Sequence, residues 1–277
     1  MINLNDARKK RKRLFLFRCC FSKLGTVKIS EQKRMGKTFF FSDVHLGTND
    51  AAAEAHKQRQ LLAFLKHVSE NGERLFIMGD LFDFWFEYRT VIPRGYMAVL
   101  GALSQLKENG IDLHYVAGNH DFWVRDFLTE EMGFNMHFDP IEYEIAGKRF
   151  FLHHGDGVAK FDKGYRLMKR VFRYPPNIFL YSLLHPDIGI PLAKWVANLS
   201  RNHQKDREVD DRDYRELAQE KFREGCDYAI FGHLHQPILA ELDGGVYMNL
   251  GDWMRHFTYA VFDEQSLKLH HWPTDAE

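Results

Sequence analysis

Several short apolar segments of this chain run directly into polar clusters, and this arrangement constrains the fold more than any other feature of the sequence. Residues 38–42 lead into Asp43, and residues 113–117 lead into Gly118 and Asn119. Short apolar segments that alternate with stretches of helical spacing are typical of buried strands in an α/β sheet. Because functional loops of such sheets follow the carboxyl ends of the strands, the clusters are predicted to lie close together. The five clusters are Asp43-Val44-His45, Gly79-Asp80, Gly118-Asn119-His120-Asp121, His153-His154-Gly155-Asp156 and Gly232-His233-Leu234-His235.

The two halves of the chain have different predicted patterns. In the first half, helices over residues 51–69 and 93–107 separate strands over 38–42, 74–78 and 113–117, which is a βαβαβ arrangement. In the second half, six further short strands are predicted, over residues 141–145, 149–153, 228–231, 238–242, 246–250 and 258–262. Residues 157–224 separate the first two of these strands from the other four, and their helical periodicity predicts an inserted lid.

Composition limits the class of protein. Hydrophobic residues make up 45% and charged residues 27% of the 277 residues, which allows a sizeable core and argues against disorder throughout. No apolar run approaches the roughly 18–20 residues that span a bilayer, so the sequence predicts no integral membrane protein. Cys19, Cys20 and Cys226 offer no disulfide framework, which favours a reducing compartment.

The N-terminal stretch differs from the rest, because residues 1–34 contain eleven Lys and Arg against two acidic residues. Three interpretations are open: a disordered extension upstream of a true start at Met35, a basic anchor on a membrane surface, or a nucleic-acid-binding segment. Met35-Gly36-Lys37 leads straight into the first strong strand, which favours a disordered extension. We therefore predict an extension over 1–34 and one domain over 35–277, with the lid at about 157–224.

The predicted lid is both basic and apolar. Residues 158–205 hold nine Lys and Arg against Asp162 and Asp187. Apolar and aromatic residues alternate with these cations, and an apolar run follows at residues 178–184. A basic, apolar insertion suits an anionic amphiphile, and it could also touch an anionic membrane. The alternative is an ordinary helical cap whose apolar face packs into the core.

The polar clusters predict a metal site. They combine carboxylate, imidazole and amide groups without thiolate, which suits Mn²⁺, Fe²⁺, Zn²⁺ or Co²⁺ and not a structural zinc built on cysteine. Asp43 and His45 are two residues apart in a segment predicted to be extended, so both side chains are expected on one side, and the same holds for His233 and His235. Two such metals can activate water for attack on phosphorus.

The order of these motifs resembles that of the calcineurin-like metallophosphoesterase family. The resemblance implies an α/β fold, a four-layer α/β/β/α sandwich with an inserted helical lid. It also implies two divalent metal ions. The first would be held by Asp43, His45, Asp80 and His235, and the second by Asp80, Asn119, His154 and His233. His120 would contact phosphate and protonate the leaving group, and Asp121 would orient the His120 imidazole.

Within that family, the closer resemblance is to the UDP-2,3-diacylglucosamine pyrophosphohydrolases. The matching segments include Ser42-Asp43-Val44-His45-Leu46-Gly47, Gly79-Asp80-Leu81-Phe82-Asp83 and Gly118-Asn119-His120-Asp121-Phe122. This resemblance implies Mn²⁺-dependent attack of water on the α-phosphorus, which releases UMP and 2,3-diacylglucosamine 1-phosphate (lipid X). It implies a lid that holds acyl chains, and a cytoplasmic protein at the inner membrane surface of a Gram-negative bacterium.

The substrate contacts that the resemblance implies are Asn119, His120, Asp162, Tyr165 and His233. One departure concerns His120, because the best-known members of the pyrophosphohydrolase group carry Arg at this position. The chain is therefore either a divergent branch of that group or a sister phosphoesterase that acts on a soluble nucleotide or phosphodiester. No nucleic-acid partner is expected, because the basic residues cluster at the terminus and the lid and do not form a stripe through the body. No obligate protein partner is inferred.

Overall fold

The computed structural model describes residues 27–29, 36–47, 50–160, 163–202 and 210–273. Within them lie twelve strands and six α-helices, together with a short π-helix at Phe127–Glu131. The strands are β1 (Val27–Ile29), β2 (Lys37–Phe41), β3 (Gly72–Ile77), β4 (Asp112–Val116), β5 (Asn135–His137), β6 (Ile141–Ile145), β7 (Lys148–His153), β8 (Tyr228–Phe231), β9 (Pro237–Leu242), β10 (Gly245–Leu250), β11 (Thr258–Phe262) and β12 (Leu267–His271). The helices are α1 (Ala51–Asn71), α2 (Met97–Glu108), α3 (Lys163–Phe172), α4 (Pro175–Ser182), α5 (Pro186–Asn202) and α6 (Arg212–Arg223).

The strands form two mixed sheets of six strands each. Sheet I has the order β12-β11-β2-β3-β4-β5, and its strands β2 to β5 are parallel. Sheet II has the order β1-β6-β7-β8-β10-β9, and its strands β7, β8 and β10 are parallel. Parallel strands buried on both faces read as continuous apolar runs, which is why β2 and β8 have no polar alternation.

Three clusters of buried apolar residues hold the layers of the fold together. The clusters bury residues of α1 and α2 against one face of sheet I, pack the two sheets against each other, and bury α6 against the far face of sheet II. Phe40 and Phe76 of sheet I stack in the central cluster beside Phe150 of sheet II. The predicted four-layer α/β/β/α arrangement is therefore confirmed.

Most predicted elements lie within a few residues of the observed ones. The sequence pattern missed β5 and β12, because neither strand has a sustained apolar pattern. It also missed the π-helix. Residues 1–34 were predicted to be disordered, yet Val27–Ile29 forms strand β1, which pairs in parallel with β6. The rest of that prediction lies outside the described residues.

The insertion predicted at about 157–224 contains α3, α4, α5 and α6. Helix α6 belongs to the body, because Tyr214, Ala218 and Phe222 are buried against sheet II. Helix α4, by contrast, buries none of its residues. We keep the name lid for α3, α4 and α5 alone. None of the helices that the structure describes has the length and apolarity needed to cross a bilayer.

Candidate metal centre

The five polar clusters converge between the two sheets, at the carboxyl ends of their parallel strands. Asp43, Asp80 and Asn119 follow β2, β3 and β4 of sheet I, whereas His154 and His233 follow β7 and β8 of sheet II. Backbone hydrogen bonds join the loops, because the Asp43 amide donates to the Gly79 carbonyl at 3.1 Å and the His45 amide donates to the Asp80 carbonyl at 2.9 Å. The site is therefore assembled from both sheets.

The backbone at this centre is strained. Nine described non-glycine residues have positive φ, and five of them are predicted metal ligands: Asp43, His45, Asp80, His233 and His235. Left-handed conformations of this kind cost free energy and concentrate at functional sites. The prediction that Asp43 and His45 share one side because the segment is extended was therefore wrong in its reason. Asp43 and His45 both have positive φ on either side of Val44, so the segment is not extended, and His233 and His235 flank Leu234 in the same way.

Two glycines allow the loops to approach each other closely. A Cβ atom on Gly118 would lie 2.1 Å from Asp80 Oδ1, and a Cβ atom on Gly79 would lie 2.4 Å from His154 Nδ1. Gly79 also has a φ of +91°, which other residues rarely adopt. These positions accept no side chain without displacement of a predicted ligand.

Asp43, His45 and His235 form the first group of potential ligands. The His45 and His235 Nε2 atoms are 3.2 Å apart, and His235 Nε2 lies 3.2 Å from Asp43 Oδ1. The other carboxylate oxygen of Asp43 is already engaged, because Oδ2 accepts from the Ser42 hydroxyl at 2.5 Å and from the His233 amide at 2.9 Å. The second carboxylate oxygen of Asp43, Oδ1, faces the imidazoles of His45 and His235.

Asp80 connects this first group to a second one. Its Oδ2 lies 3.6 Å from His45 Nε2 and 3.4 Å from His154 Nε2, while Oδ1 accepts the His120 amide at 2.9 Å. Asn119 Oδ1 lies 3.1 Å from His154 Nε2. His154 Nδ1 donates to the Met78 carbonyl at 2.8 Å, which leaves Nε2 unprotonated in the neutral ring and able to bind a metal. His233 completes this second group, with Asp80 and His154.

The donor atoms fit divalent metal ions. Two ligands that each lie about 2.1 Å from one ion are separated by about 3.0–3.4 Å, close to the separations found here. Asp43 Oδ1 is buried without a hydrogen-bond partner among the described residues, which is costly unless a cation pairs with it. A cluster of buried carboxylates and imidazoles lacking thiolate is thus a site for divalent metal ions.

Because carboxylates and imidazoles lie close together, their pKa values are shifted in the metal-free protein. Burial lowers the pKa of His45, but the neighbouring carboxylates of Asp43, Asp83 and Asp80 outweigh burial and raise it to about 10. Burial also lowers the pKa of His154, but the carboxylates of Asp80 and Asp43 outweigh burial and raise the pKa to about 10. Burial opposes ionisation of Asp80, yet the charges of His154 and His120 hold its pKa well below the ordinary value. The imidazoles of His45 and His154 therefore carry protons where metal ions would bind.

His120 lies in the site, but its orienting partner differs from the prediction. His120 Nδ1 donates to the Asp83 carbonyl at 2.8 Å, and its ring makes an edge contact with that of His45 at 4.8 Å between centroids. Asp121 was predicted to orient this imidazole. Its carboxylate instead accepts from the Leu81 amide at 2.8 Å, the Gly118 amide at 2.9 Å and the Tyr115 hydroxyl. Asp121 fixes the loops, and the Asp83 backbone fixes His120.

The two predicted substrate contacts on the lid cannot be compared with the site. Asp162 lies outside the described residues, and the Tyr165 side chain is not among those described. The adjoining helix α3 is tied to the centre by another pair, because Lys169 Nζ lies 2.5 Å from Asp156 Oδ2. The Trp123 indole also donates to the Phe172 carbonyl at 3.1 Å, at the end of α3.

Sequence reasoning missed several supporting contacts. Asn249 Nδ2 donates to the Gly232 carbonyl at 2.6 Å and so fixes the turn that carries His233. Lys57 Nζ donates to the His45 carbonyl at 2.6 Å from helix α1. An Asn at a strand end and a Lys on an amphipathic helix carry no local signal of such contacts, because both residue types are common at exposed positions.

Comparisons with known proteins agree with this geometry. The family described as calcineurin-like phosphoesterase matches residues 36–237. A UDP-2,3-diacylglucosamine hydrolase from Porphyromonas gingivalis is 36% identical over 252 residues, which cover 84% of this chain and 96% of that protein. A UDP-2,3-diacylglucosamine hydrolase from Nitrosococcus oceani is 30% identical over 224 residues, which cover 79% of this chain and 88% of that protein. The chain therefore belongs to the calcineurin-like phosphoesterase family.

Proposed function

We propose that this chain hydrolyses the pyrophosphate of UDP-2,3-diacylglucosamine and releases UMP and 2,3-diacylglucosamine 1-phosphate. The observation that carries the proposal is the position of Asp80, whose Oδ2 lies within 3.6 Å of imidazole nitrogens from both ligand groups. A carboxylate oxygen in this position suits two divalent ions that act on one phosphoryl group. The two named hydrolases that cover most of this chain support the choice of substrate.

The residues proposed to hold the two ions are those of the two groups. One ion would be held by Asp43, His45, Asp80 and His235, and the other by Asp80, Asn119, His154 and His233. Mn²⁺ is the proposed metal, because the resemblance to the UDP-2,3-diacylglucosamine pyrophosphohydrolases implies it, and oxygen and imidazole donors without thiolate are compatible with it. Bound there, the ions would polarise the phosphoryl oxygens and lower the pKa of the attacking water.

His120 is proposed to bind the phosphoryl oxygens as a cation. Burial lowers the pKa of His120 in the free protein despite the charge of Asp80, and an incoming phosphate would favour its protonated form. Because Nδ1 donates to the Asp83 carbonyl, the second proton would sit on Nε2 and point at the substrate. The leaving group needs no proton near neutral pH, since a phosphate monoester has a second pKa of about 6. An Arg at this position could serve equally well.

The lid is proposed to receive the acyl chains and to rest on the inner membrane surface. Six apolar side chains of the lid and of the link between α4 and α5 are at least 60% exposed: Leu167, Phe179, Leu180, Leu183, Ile188 and Trp195. Such a concentration of exposed apolar surface marks a binding or membrane site. The cations of the same segment suit an anionic lipid surface. The remaining domain boundaries, with the extension over 1–34 and the domain over 35–277, stay a prediction, as does the cytoplasmic location.

Lipid binding by the lid is tested with vesicles. The protein is expected to sediment with vesicles of anionic phospholipid, and the double variant Leu180→Asp, Leu183→Asp is expected to stay in solution. Vesicles of neutral phospholipid are the control and are expected to retain less protein. Equal sedimentation of the protein and the double variant would contradict a role of the lid at the membrane.

The substrate is tested by turnover of UDP-2,3-diacylglucosamine with Mn²⁺, with the products identified by phosphorus NMR. UMP and 2,3-diacylglucosamine 1-phosphate are expected, and Asp80→Ala is expected to form neither. An absence of turnover together with Mn²⁺-dependent cleavage of an aryl phosphodiester would overturn the lipid substrate. That result would favour a soluble nucleotide or phosphodiester instead.

A further inference from the structure

Three consecutive backbone carbonyls follow the first cluster of ligands, and each accepts a hydrogen bond from a side chain of a different part of the fold. The His45 carbonyl accepts from Lys57 Nζ of α1 at 2.6 Å, and the Leu46 carbonyl accepts from the Tyr96 hydroxyl before α2 at 3.2 Å. The Gly47 carbonyl accepts from Lys194 Nζ of the lid at 3.3 Å. Side chains from three different parts of the fold therefore hold the backbone of residues 45–47.

Lys57 differs from the other two donors because it is a buried charge. Its side chain is 5% exposed, and its Nζ also lies 3.0 Å from Glu54 Oε2, one helical turn earlier. Burial opposes the ionisation of Glu54, but Gln58, Lys57 and a hydrogen bond from the Gly47 backbone hold its pKa below the ordinary value. Lys57 and Glu54 thus hydrogen-bond to the backbone of His45 and Gly47, on either side of Leu46. A buried ammonium is costly, and it is retained only where it is paired and hydrogen-bonded.

We propose that Lys57 is a positioning residue for one metal ion, the ion assigned to Asp43, His45, Asp80 and His235. His45 has a φ of 47°, which costs free energy, so its backbone needs external support. The short bond from Lys57 fixes the His45 carbonyl and so fixes the direction of the imidazole on the same residue. This inference rests on the proposed two-metal site and adds that the two ions have separate supports.

The second ion has a support of its own on the other sheet. The Tyr214 hydroxyl of α6 donates to the Gly155 carbonyl at 2.8 Å, directly after His154. Tyr214 is buried, and its hydroxyl reaches the loop that carries His154. Removal of this hydroxyl provides a matched control, because it disturbs the second ion in the way that removal of Lys57 disturbs the first.

The experiment is a titration of the metal-free protein with Mn²⁺, in which free Mn²⁺ is followed by electron paramagnetic resonance. The two binding steps are assigned with His235→Ala, which removes a ligand of the first ion, and His233→Ala, which removes a ligand of the second. Lys57→Met is expected to lower the affinity for the first ion by about tenfold or more, as is typical when a residue that holds a metal ligand is removed. The affinity for the second ion is expected to change by less than about twofold. Tyr214→Phe is expected to show the reverse pattern.

Further variants keep the proposal falsifiable. Lys57→Arg retains a cation and donors, so its affinity for both ions is expected to stay close to that of the unchanged protein. If thermal unfolding shows that Lys57→Met is not folded, Lys57→Gln replaces it, because its shorter amide cannot reach the His45 carbonyl. Unchanged affinity for the first ion, or equal weakening of both ions, would overturn the role of Lys57. A total of one Mn²⁺ ion bound per chain of the unchanged protein would instead overturn the two-metal site itself.

Discussion

At the scale of single residues, the space around Asp80 decides whether the two ligand groups can share one carboxylate. Gly118 borders Asp80 so closely that a methyl group would lie 2.1 Å from Asp80 Oδ1. Gly118→Ala is therefore expected to displace the carboxylate and to reduce Mn²⁺-dependent turnover by about 100-fold or more, comparable to the loss of a key electrostatic group.

A matched glycine controls for the general effect of a methyl group. Gly101 lies in helix α2, and a Cβ atom added there would meet no side chain of the described residues within 4 Å. Gly101→Ala is therefore expected to leave turnover unchanged and to raise the free energy of unfolding by about 0.5–1 kcal/mol. Full turnover of Gly118→Ala, measured beside Gly101→Ala, would refute the importance of the Asp80 position.

A second prediction at this scale concerns His120. If its role is to bind phosphoryl oxygens as a cation, His120→Arg is expected to keep turnover within about tenfold, and His120→Ala is expected to lose about 100-fold or more. The measurement is kcat and KM for UDP-2,3-diacylglucosamine in both variants. An inactive His120→Arg with an intact fold would show that proton transfer by the imidazole is required, as the family resemblance first implied.

The identities of the ligands could be predicted at this scale, but their geometry could not. Five clusters of metal-binding side chains after five strands indicate a shared site, because the ends of parallel strands meet at one edge. Nothing local predicts that Asp43 and His45 adopt left-handed conformations, since those conformations are imposed by hydrogen bonds to the next loop. The engagement of Asp121 with the loops, and not with the His120 imidazole, follows from the same kind of tertiary contact.

At the scale of elements, strands β4 and β5 carry a hydrogen-bonded histidine pair. His114 Nδ1 and His137 Nε2 are 3.0 Å apart, and His114 Nε2 lies 2.8 Å from Asp112 Oδ2. Burial and the neighbouring His114 lower the pKa of His137 to about 4. The sequence pattern missed β5, because a three-residue edge strand has no detectable periodicity.

This pair predicts a loss of stability in acid. The pKa of His137 in the folded state lies below its ordinary value of 6.5, so the unfolded chain binds the proton more readily. Above pH 6.5, His137 is neutral in both states and does not destabilise the fold. As the pH falls from 6.5 towards 4, the unfolded chain takes up the proton first, and the folded state loses stability. His137→Gln is expected to reduce the difference in free energy of unfolding between pH 7 and pH 5 by about 1–2 kcal/mol. A urea titration at each pH measures it, and an unchanged difference would contradict the assignment.

At the scale of the whole molecule, two sheets and α6 bring together residues from position 43 to position 235. The α/β class could be predicted from the order of strands and helices, whereas the four-layer arrangement was implied by the resemblance to the calcineurin-like metallophosphoesterases. The lid could be predicted as helical, and its apolar residues suited either a lipid or a packed core. The sequence could not decide between these two interpretations, because a helix normally packs its apolar face into a core. Helix α6 shows that normal outcome.

Metal binding to the whole protein is expected to depend on pH. Because the carboxylates raise the pKa values of His45 and His154 to about 10, both imidazoles carry protons at neutral pH without metal. Metal ions must displace these protons, so the affinity for Mn²⁺ is expected to increase from about pH 6.5 to about pH 8.5. Calorimetric titrations in buffers of different ionisation enthalpy measure the protons released. Binding without proton release would contradict this account of the ligands.

The central claim is that water attacks the α-phosphorus of UDP-2,3-diacylglucosamine at the site that contains Asp80. The most direct test is a single reaction with Mn²⁺ in ¹⁸O-labelled water, followed by mass spectrometry of both products. We predict one ¹⁸O atom in UMP and none in 2,3-diacylglucosamine 1-phosphate, because the new bond forms at the α-phosphorus. Label in the sugar phosphate, or label in UMP that persists in Asp80→Ala, would contradict the account.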